Sequence, residues 1–136
     1  MKKNALMIVL LLCALMLTAC GGGNIRHVMP TIGPSDLYDG SEIEEAMDIV
    51  LDHFQKEFDG CTLTRLEYDE AAVREELMGW AAQYNEGQAI VLLSDFDVAP
   101  FGASESLNAN DTYRNWKWIL TRSGAGEWTL RTWGYG

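Results

Sequence analysis

The sequence predicts an α+β fold in which helices pack on a curved four-stranded antiparallel sheet, in the order helix, strand, helix, strand, strand, strand. Three observations predict it. Apolar residues recur at three- and four-residue spacing from Ile43 to Phe58, the period of a helix with one buried face. Ala89-Ile90-Val91-Leu92-Leu93 is an apolar run of strand length without alternation, as in a strand covered on both sides. Trp116, Trp118 and Leu120 before the turn Ser123-Gly124-Ala125-Gly126, and Trp128 and Leu130 after it, recur at two-residue spacing, which reads as a hairpin.

The first helix opens at Ser41, because Ser41-Glu42-Ile43-Glu44 is a capping box. Ile43, Ala46, Met47, Val50, Leu51, Phe54 and Phe58 form its apolar stripe, with Glu45, Asp48, Asp52 and Lys56 on the other side. Ile49 lies off the stripe and widens the buried face, and Gly60 stops the helix. Cys61 to Tyr68, rich in Thr, Leu and Tyr, reads as a strand. Asp69 caps a second helix whose Val73, Leu77, Trp80, Ala81 and Tyr84 share a face, ended by the turn at Asn85 to Gly87. The run at Ala89 is the most buried strand, and Pro100 to Asp111 is a long loop. In the third strand Trp116, Trp118 and Leu120 face one way and Asn115, Lys117 and Thr121 the other. In the fourth, Trp128 and Leu130 take one face and Arg131 and Trp133 the opposite one, with Tyr135 sharing the parity of Trp133.

Upstream, Lys2 and Lys3 precede an apolar run from Ala5 to Leu17 and the small residues Ala19 and Cys20, the layout of a secretory signal. The run is too short for an ordinary membrane-spanning helix. Leu17-Thr18-Ala19-Cys20 resembles a lipobox. That resemblance implies that residues 1–19 are a lipoprotein signal peptide, that Cys20 is the lipid-modified N-terminus, and that the protein works outside the cytoplasm, anchored to the cell membrane by lipid. Residues 20–40, with Gly21-Gly22-Gly23, Pro30, Gly33 and Pro34, have the composition of a flexible tether. Twenty such residues would hold the domain on the order of 25 Å from the bilayer. Residues 41–136 then make a single domain, and removing nineteen residues from 136 leaves 117, enough for one core.

The mature chain carries twenty acidic and eight basic residues, a formal charge of −12, which repels nucleic acid and anionic headgroups. Membrane attachment therefore falls to the lipid. Of three cysteines Cys13 leaves with the signal and Cys20 takes the lipid, so Cys61 is the domain's sole cysteine and no disulfide framework forms within one chain. It reads as a small buried hydrophobe rather than a nucleophile, since His27 in the tether and His53 on the helix are the only candidate bases beside it.

Asp95 and Asp97, with Glu105 and Asp111 across the loop, are the best candidate for a metal or polar-ligand site. Their spacing departs from a calcium loop, lacking the third ligand and the following glycine, and a solvated strand end is the simpler reading. No cofactor or metal is expected. No Ser-His-Asp set, phosphate-cradling glycine loop or zinc spacing occurs, and no feature selects a glycosidase pair among twenty acids. His53, at the edge of the stripe, reads as a surface histidine, and Asn110-Asp111-Thr112 matches a glycosylation acceptor that has no meaning in a bacterium.

The most informative feature is the aromatic density of the last quarter: Tyr113, Trp116, Trp118, Trp128, Trp133 and Tyr135. Such residues wall a core facing the helices. They also suit a concave pocket for a small apolar or planar ligand, walled by Trp116, Trp118 and Trp128, with Trp133 and Tyr135 as a recognition surface. Ser94-Asp95-Phe96, Trp116-Lys117-Trp118-Ile119-Leu120-Thr121-Arg122, Trp128 and Trp133-Gly134-Tyr135 resemble an uncharacterised domain of small lipoproteins and cell-surface proteins of Firmicutes. That family has no assigned activity. The resemblance implies a cell-surface compartment, and the fusion of some relatives to membrane sensor peptidases implies sensing or interaction. The element order resembles cystatin-like and nuclear-transport-factor-like shapes, which host many functions. The expectation is a non-enzymatic module binding an envelope protein or a small apolar ligand; the alternative is a small enzyme using Asp95 or Asp97 as general base.

Overall fold

The computed structural model describes residues 22–103 and 106–135. The leader, Cys20 and Glu105 lie outside the described residues. The chain is α+β: β1 (Thr31–Ile32), α1 (Gly40–Glu57), β2 (Cys61–Tyr68), α2 (Glu70–Gln83), β3 (Gln88–Val98), β4 (Thr112–Arg122) and β5 (Thr129–Gly134). The sheet has five strands in the order β1-β2-β3-β4-β5 rather than four. It is mixed rather than antiparallel throughout, because the short β1 pairs parallel to β2 while the remaining pairs are antiparallel. No helix among the described residues is long and apolar enough to cross a membrane.

The extra strand comes from the segment whose composition suggests a tether. The Gly23 amide donates to the Gln55 carbonyl at 2.9 Å, Asn24 exchanges bonds with Cys61 and Leu63, and the Gly33 amide donates to Tyr68. Ile25 and Val28 pack against the core and Tyr38 is buried in it. The glycines allow close approach rather than slack. A Cβ on Gly22 would meet the Gln55 carbonyl oxygen at 2.2 Å, and one on Gly23 the Phe54 carbonyl oxygen at 2.3 Å.

One residue holds the far end of this strap. The Glu70 carboxylate, at the start of α2, accepts from Ser35 Oγ at 2.6 Å, the Asp36 amide at 2.9 Å and Tyr68 Oη at 2.9 Å. Burial by itself would raise the carboxyl; the bonds from Ser35, Asp36, Tyr68 and Leu37 outweigh it and hold Glu70 down at about 2. Burial and the bond to Glu70 push the Tyr68 hydroxyl well up.

The cap of α1 is displaced from the expected Ser41. Asp39 is the N-cap, its side chain accepting from the Glu42 amide while Glu42 reaches back to the Asp39 amide, and Ser41 Oγ donates to Asp39 at 2.7 Å. Asp39-Gly40-Ser41-Glu42 satisfies the same spacing two residues earlier. Asp69 caps α2 and accepts from the Ala72 amide as expected. Beyond Glu57 the chain turns through Gly60, at φ +76°, where a Cβ would lie 2.5 Å from the Gly102 carbonyl oxygen.

The helices lie on opposite faces of the sheet. Phe54 and Phe58 of α1 make ring contacts with Phe96 of β3 and Trp118 of β4. Lys117, on the other side of β4, pairs with Glu76 of α2 at 2.8 Å. Ala89 to Leu93 is therefore buried on both faces, which accounts for its lack of alternation. This three-layer arrangement leaves no concave space between two helices and a single sheet face.

Candidate functional site

Three bulges decide which side chains meet. In β2 the extra residue is Thr64, between the pairs Leu63 with Phe96 and Arg65 with Asp95. In β4 it falls at Arg114 and Asn115, opposite Asp95, with Asn115 at φ +55°. In β5 it is Arg131, between the pairs Ile119 with Thr132 and Leu120 with Leu130. Each bulge advances the alternation by one residue. Tyr113, Trp116 and Trp118 consequently share the α1 face although Tyr113 and Trp116 are three apart.

The same slip corrects the expected placement of Trp133. Counting by twos puts it opposite Leu130, but Arg131 is the bulged residue, so Trp133 pairs with Trp118 and Leu130 with Leu120 on one face. Its ring lies 4.4 Å from His53 and 6.0 Å from Trp118. His53 is thus part of the α1 layer rather than a surface histidine, its Nε2 buried without a hydrogen-bond partner among the described residues.

The tryptophans expected to wall a ligand pocket divide. Trp118 is wholly buried and donates from Nε1 to Ser94 Oγ at 2.7 Å. Trp128 is buried under Tyr38 and the Arg122 guanidinium and donates to the Glu42 carbonyl at 2.9 Å. It edges a shallow groove of about 400 Å³ whose other lining residues are Glu45, Asp48, Ile49 and Glu127. These two are core wall. Trp116 is half-buried between Phe96, Tyr113 and Tyr135, at centroid distances of 5.3, 5.4 and 5.3 Å. Tyr135 stacks on Tyr113 at 5.8 Å and is 62% exposed. Trp116 Nε1 is buried with no hydrogen-bond partner among the described residues. Tyr113, Trp116 and Tyr135 therefore form an aromatic shelf at one end of the α1 layer, with Tyr135 as its exposed lip, while Trp133 packs on His53, Phe58 and Trp118.

Behind the shelf, on the α2 face past the end of α2, lies a charged cluster. Arg65 grips Asp95 through two bonds, Nε to Oδ2 at 2.9 Å and Nη2 to Oδ1 at 2.8 Å, and also pairs with Glu67. The Asn115 amide, aimed by its left-handed backbone, donates to the same carboxylate at 2.9 Å. The bonds from Arg65 outweigh burial and hold the Asp95 carboxyl below the usual carboxylate range. Asp97 accepts from Thr112 Oγ1 at 2.6 Å on the exposed rim. Asp95 is occupied by an arginine and a backbone amide, which engage both of its oxygens and make it a weaker base. That arrangement suits a structural clamp and not a general base.

Among the described residues no group of three or more His, Cys, Asp or Glu is placed to hold a metal ion. Cys61 is buried, its Sγ 3.9 Å from the Asp59 carbonyl oxygen, in the setting of a packed hydrophobe. The shelf had one legible sign in the sequence, its aromatic density; the Arg65 clamp had none, because Arg65, Asp95 and Asn115 come from three strands. No family model, curated protein or solved structure matches the chain.

Proposed function

We propose that the chain is a lipoprotein held by Cys20 on the outer face of the cell membrane, and that its domain is a non-catalytic binding or sensing module. The lipobox closing a basic, apolar and small-residue leader supports the compartment. The resemblance of its last forty residues to the Firmicutes lipoprotein domain agrees with it. The aromatic shelf supports the contact surface: its lip, Tyr135, is 62% exposed over Trp116, whose buried indole N–H lacks an acceptor among the described residues. An exposed tyrosine on a fixed aromatic base gives contact area at small entropic cost, and an unsatisfied donor costs about 1–3 kcal/mol that a partner's acceptor recovers on repacking. The favoured partner is an envelope protein or a small planar apolar ligand; the charge disfavours nucleic acid.

The test is a paired substitution. Partner captured from detergent-solubilised envelope by the wild-type chain should be lost with Tyr135→Ala and kept with Asp95→Asn and Asp97→Asn. The enzyme alternative requires the reverse, with turnover of its substrate falling by about two or more decades when its general base is removed. Mass spectrometry of the mature N-terminal peptide reads the compartment directly: a diacylglyceryl cysteine supports it, and an intact Met1 overturns it.

A further inference from the structure

We infer that the domain stands with one end against the bilayer and that Phe101 enters the lipid interface there; the inference rests on the lipid-anchor reading of Cys20. The chain is fixed to the domain from Gly22 and Gly23 onward, by the Gly23 bond to Gln55 and by contacts that leave no room for a side chain. Cys20 is two residues away, so the leash spans at most about 7 Å. A free twenty-residue linker would allow roughly 25 Å. The bilayer therefore meets whatever part of the domain surrounds Gly22.

That part is the end of the sheet where β2 begins and β3 finishes. The Asn24 amide donates to the Cys61 carbonyl at 2.9 Å, and the Ala99 amide donates to the neighbouring Gly60 carbonyl at 2.8 Å. Gly60 lies against Gly102, next to Phe101. Phe101 is 86% exposed, in a chain whose large apolar residues are mostly buried. From Ala99 to Ala103 the sequence holds no charged residue, against a mature charge of −12. A neutral segment tipped by an aromatic ring, next to the point where the lipid attaches, fits the headgroup boundary. The gain from burying one phenylalanine is too small to bring an acidic protein to a membrane unaided. On a short leash the encounter is intramolecular, and that amount suffices to orient the domain.

The experiment uses the full processed chain with Phe101→Cys, carrying a polarity-sensitive maleimide dye, in vesicles of phosphatidylethanolamine and phosphatidylglycerol. Cys20 is blocked as a thioether and Cys61 is 2% exposed, so the dye reads position 101. Ser123→Cys is the comparator, in the hairpin turn at the opposite end of β4, roughly 30 Å away. The dye at 101 should shift to the blue and be quenched by lipid-borne nitroxides, while the dye at 123 reports water. Inserting about twenty Gly/Ser residues between Gly21 and Gly22, restoring the longer reach, should return position 101 to water. Equal water exposure at 101 and 123, or burial at 101 that survives the insertion, overturns the placement. Mass spectrometry of the same sample separates the two failures: without lipid on Cys20 the anchor reading falls, whereas a lipidated chain with Phe101 in water ends only the orientation.

Discussion

The two faces of the sheet are held by different physics. On the α1 face, Phe54, Phe58, Phe96 and Trp118 are each wholly buried and touch ring to ring, so the layer is stabilised by apolar burial. The α2 face is apolar only as far as the helix covers it. Past that end it becomes charged, with Arg65, Glu67 and Asp95 joined across β2 and β3. β3 records the boundary in its own residues: both parities are apolar from Ala89 to Leu93, and from Ser94 onward one parity turns to Asp95 and Asp97. A strand alternates where water reaches one side and stops alternating where helices cover both. The contrast implies that the α1 face fails when volume is removed, and the α2 face and strap when charge is.

The largest expected effect is on the α1 face. Trp118→Ala removes the largest wholly buried side chain and should cost about 3–5 kcal/mol, read as a fall in urea midpoint. An effect no larger than a surface substitution would show that the aromatic layer is loosely packed. Next comes the strap. Glu70→Gln keeps the shape but removes the charge that four hydrogen bonds address, and should cost about 1.5–3 kcal/mol. Faster amide exchange at Asp36 and Leu37 should accompany it, since both amides donate to that carboxylate.

Acid sharpens the same distinction. Glu70 and Asp95 both have folded-state values below their unfolded ones, so their contribution is complete above about pH 4.5. It is lost as pH falls toward the folded value of about 2 at Glu70. Urea midpoints measured from neutral pH downward should drop below pH 4.5 in the wild type and drop less in Glu70→Gln; parallel curves would show that the carboxylate is not the group responsible. Asp95→Asn should cost about 1 kcal/mol, less at high salt, because the pair is partly exposed. The smallest change belongs to Tyr135→Ala, within about 0.5 kcal/mol, which is what makes it a clean test of binding.

Much of this architecture was readable in the residues. The stripe from Ile43 to Phe58, the bounds of β2, the Asp69 cap and the turn at Ser123 all rest on local chemistry, and each is where its residues place it. The strap was not readable, because glycine has one composition for two purposes: Gly22 and Gly23 suggest slack but supply contact. Nor was the face of Trp133, since a bulge leaves no mark at Arg131 that distinguishes it from an ordinary strand residue. The shelf was half legible. Its aromatics announced themselves, but their union depended on two bulges and on which helix lay above them.

The sequence by itself determined the two helices and the four long strands, the burial of β3 and the acidic charge of the domain, because periodicity and composition act within a few residues of their cause. Only the tertiary structure decided that the helices take opposite faces, that the N-terminal segment becomes a strap, and that Trp133 joins Trp118. Those outcomes depend on register and edge pairing between segments far apart in the chain. A single inserted residue at a strand bulge moves every side chain beyond it to the other face.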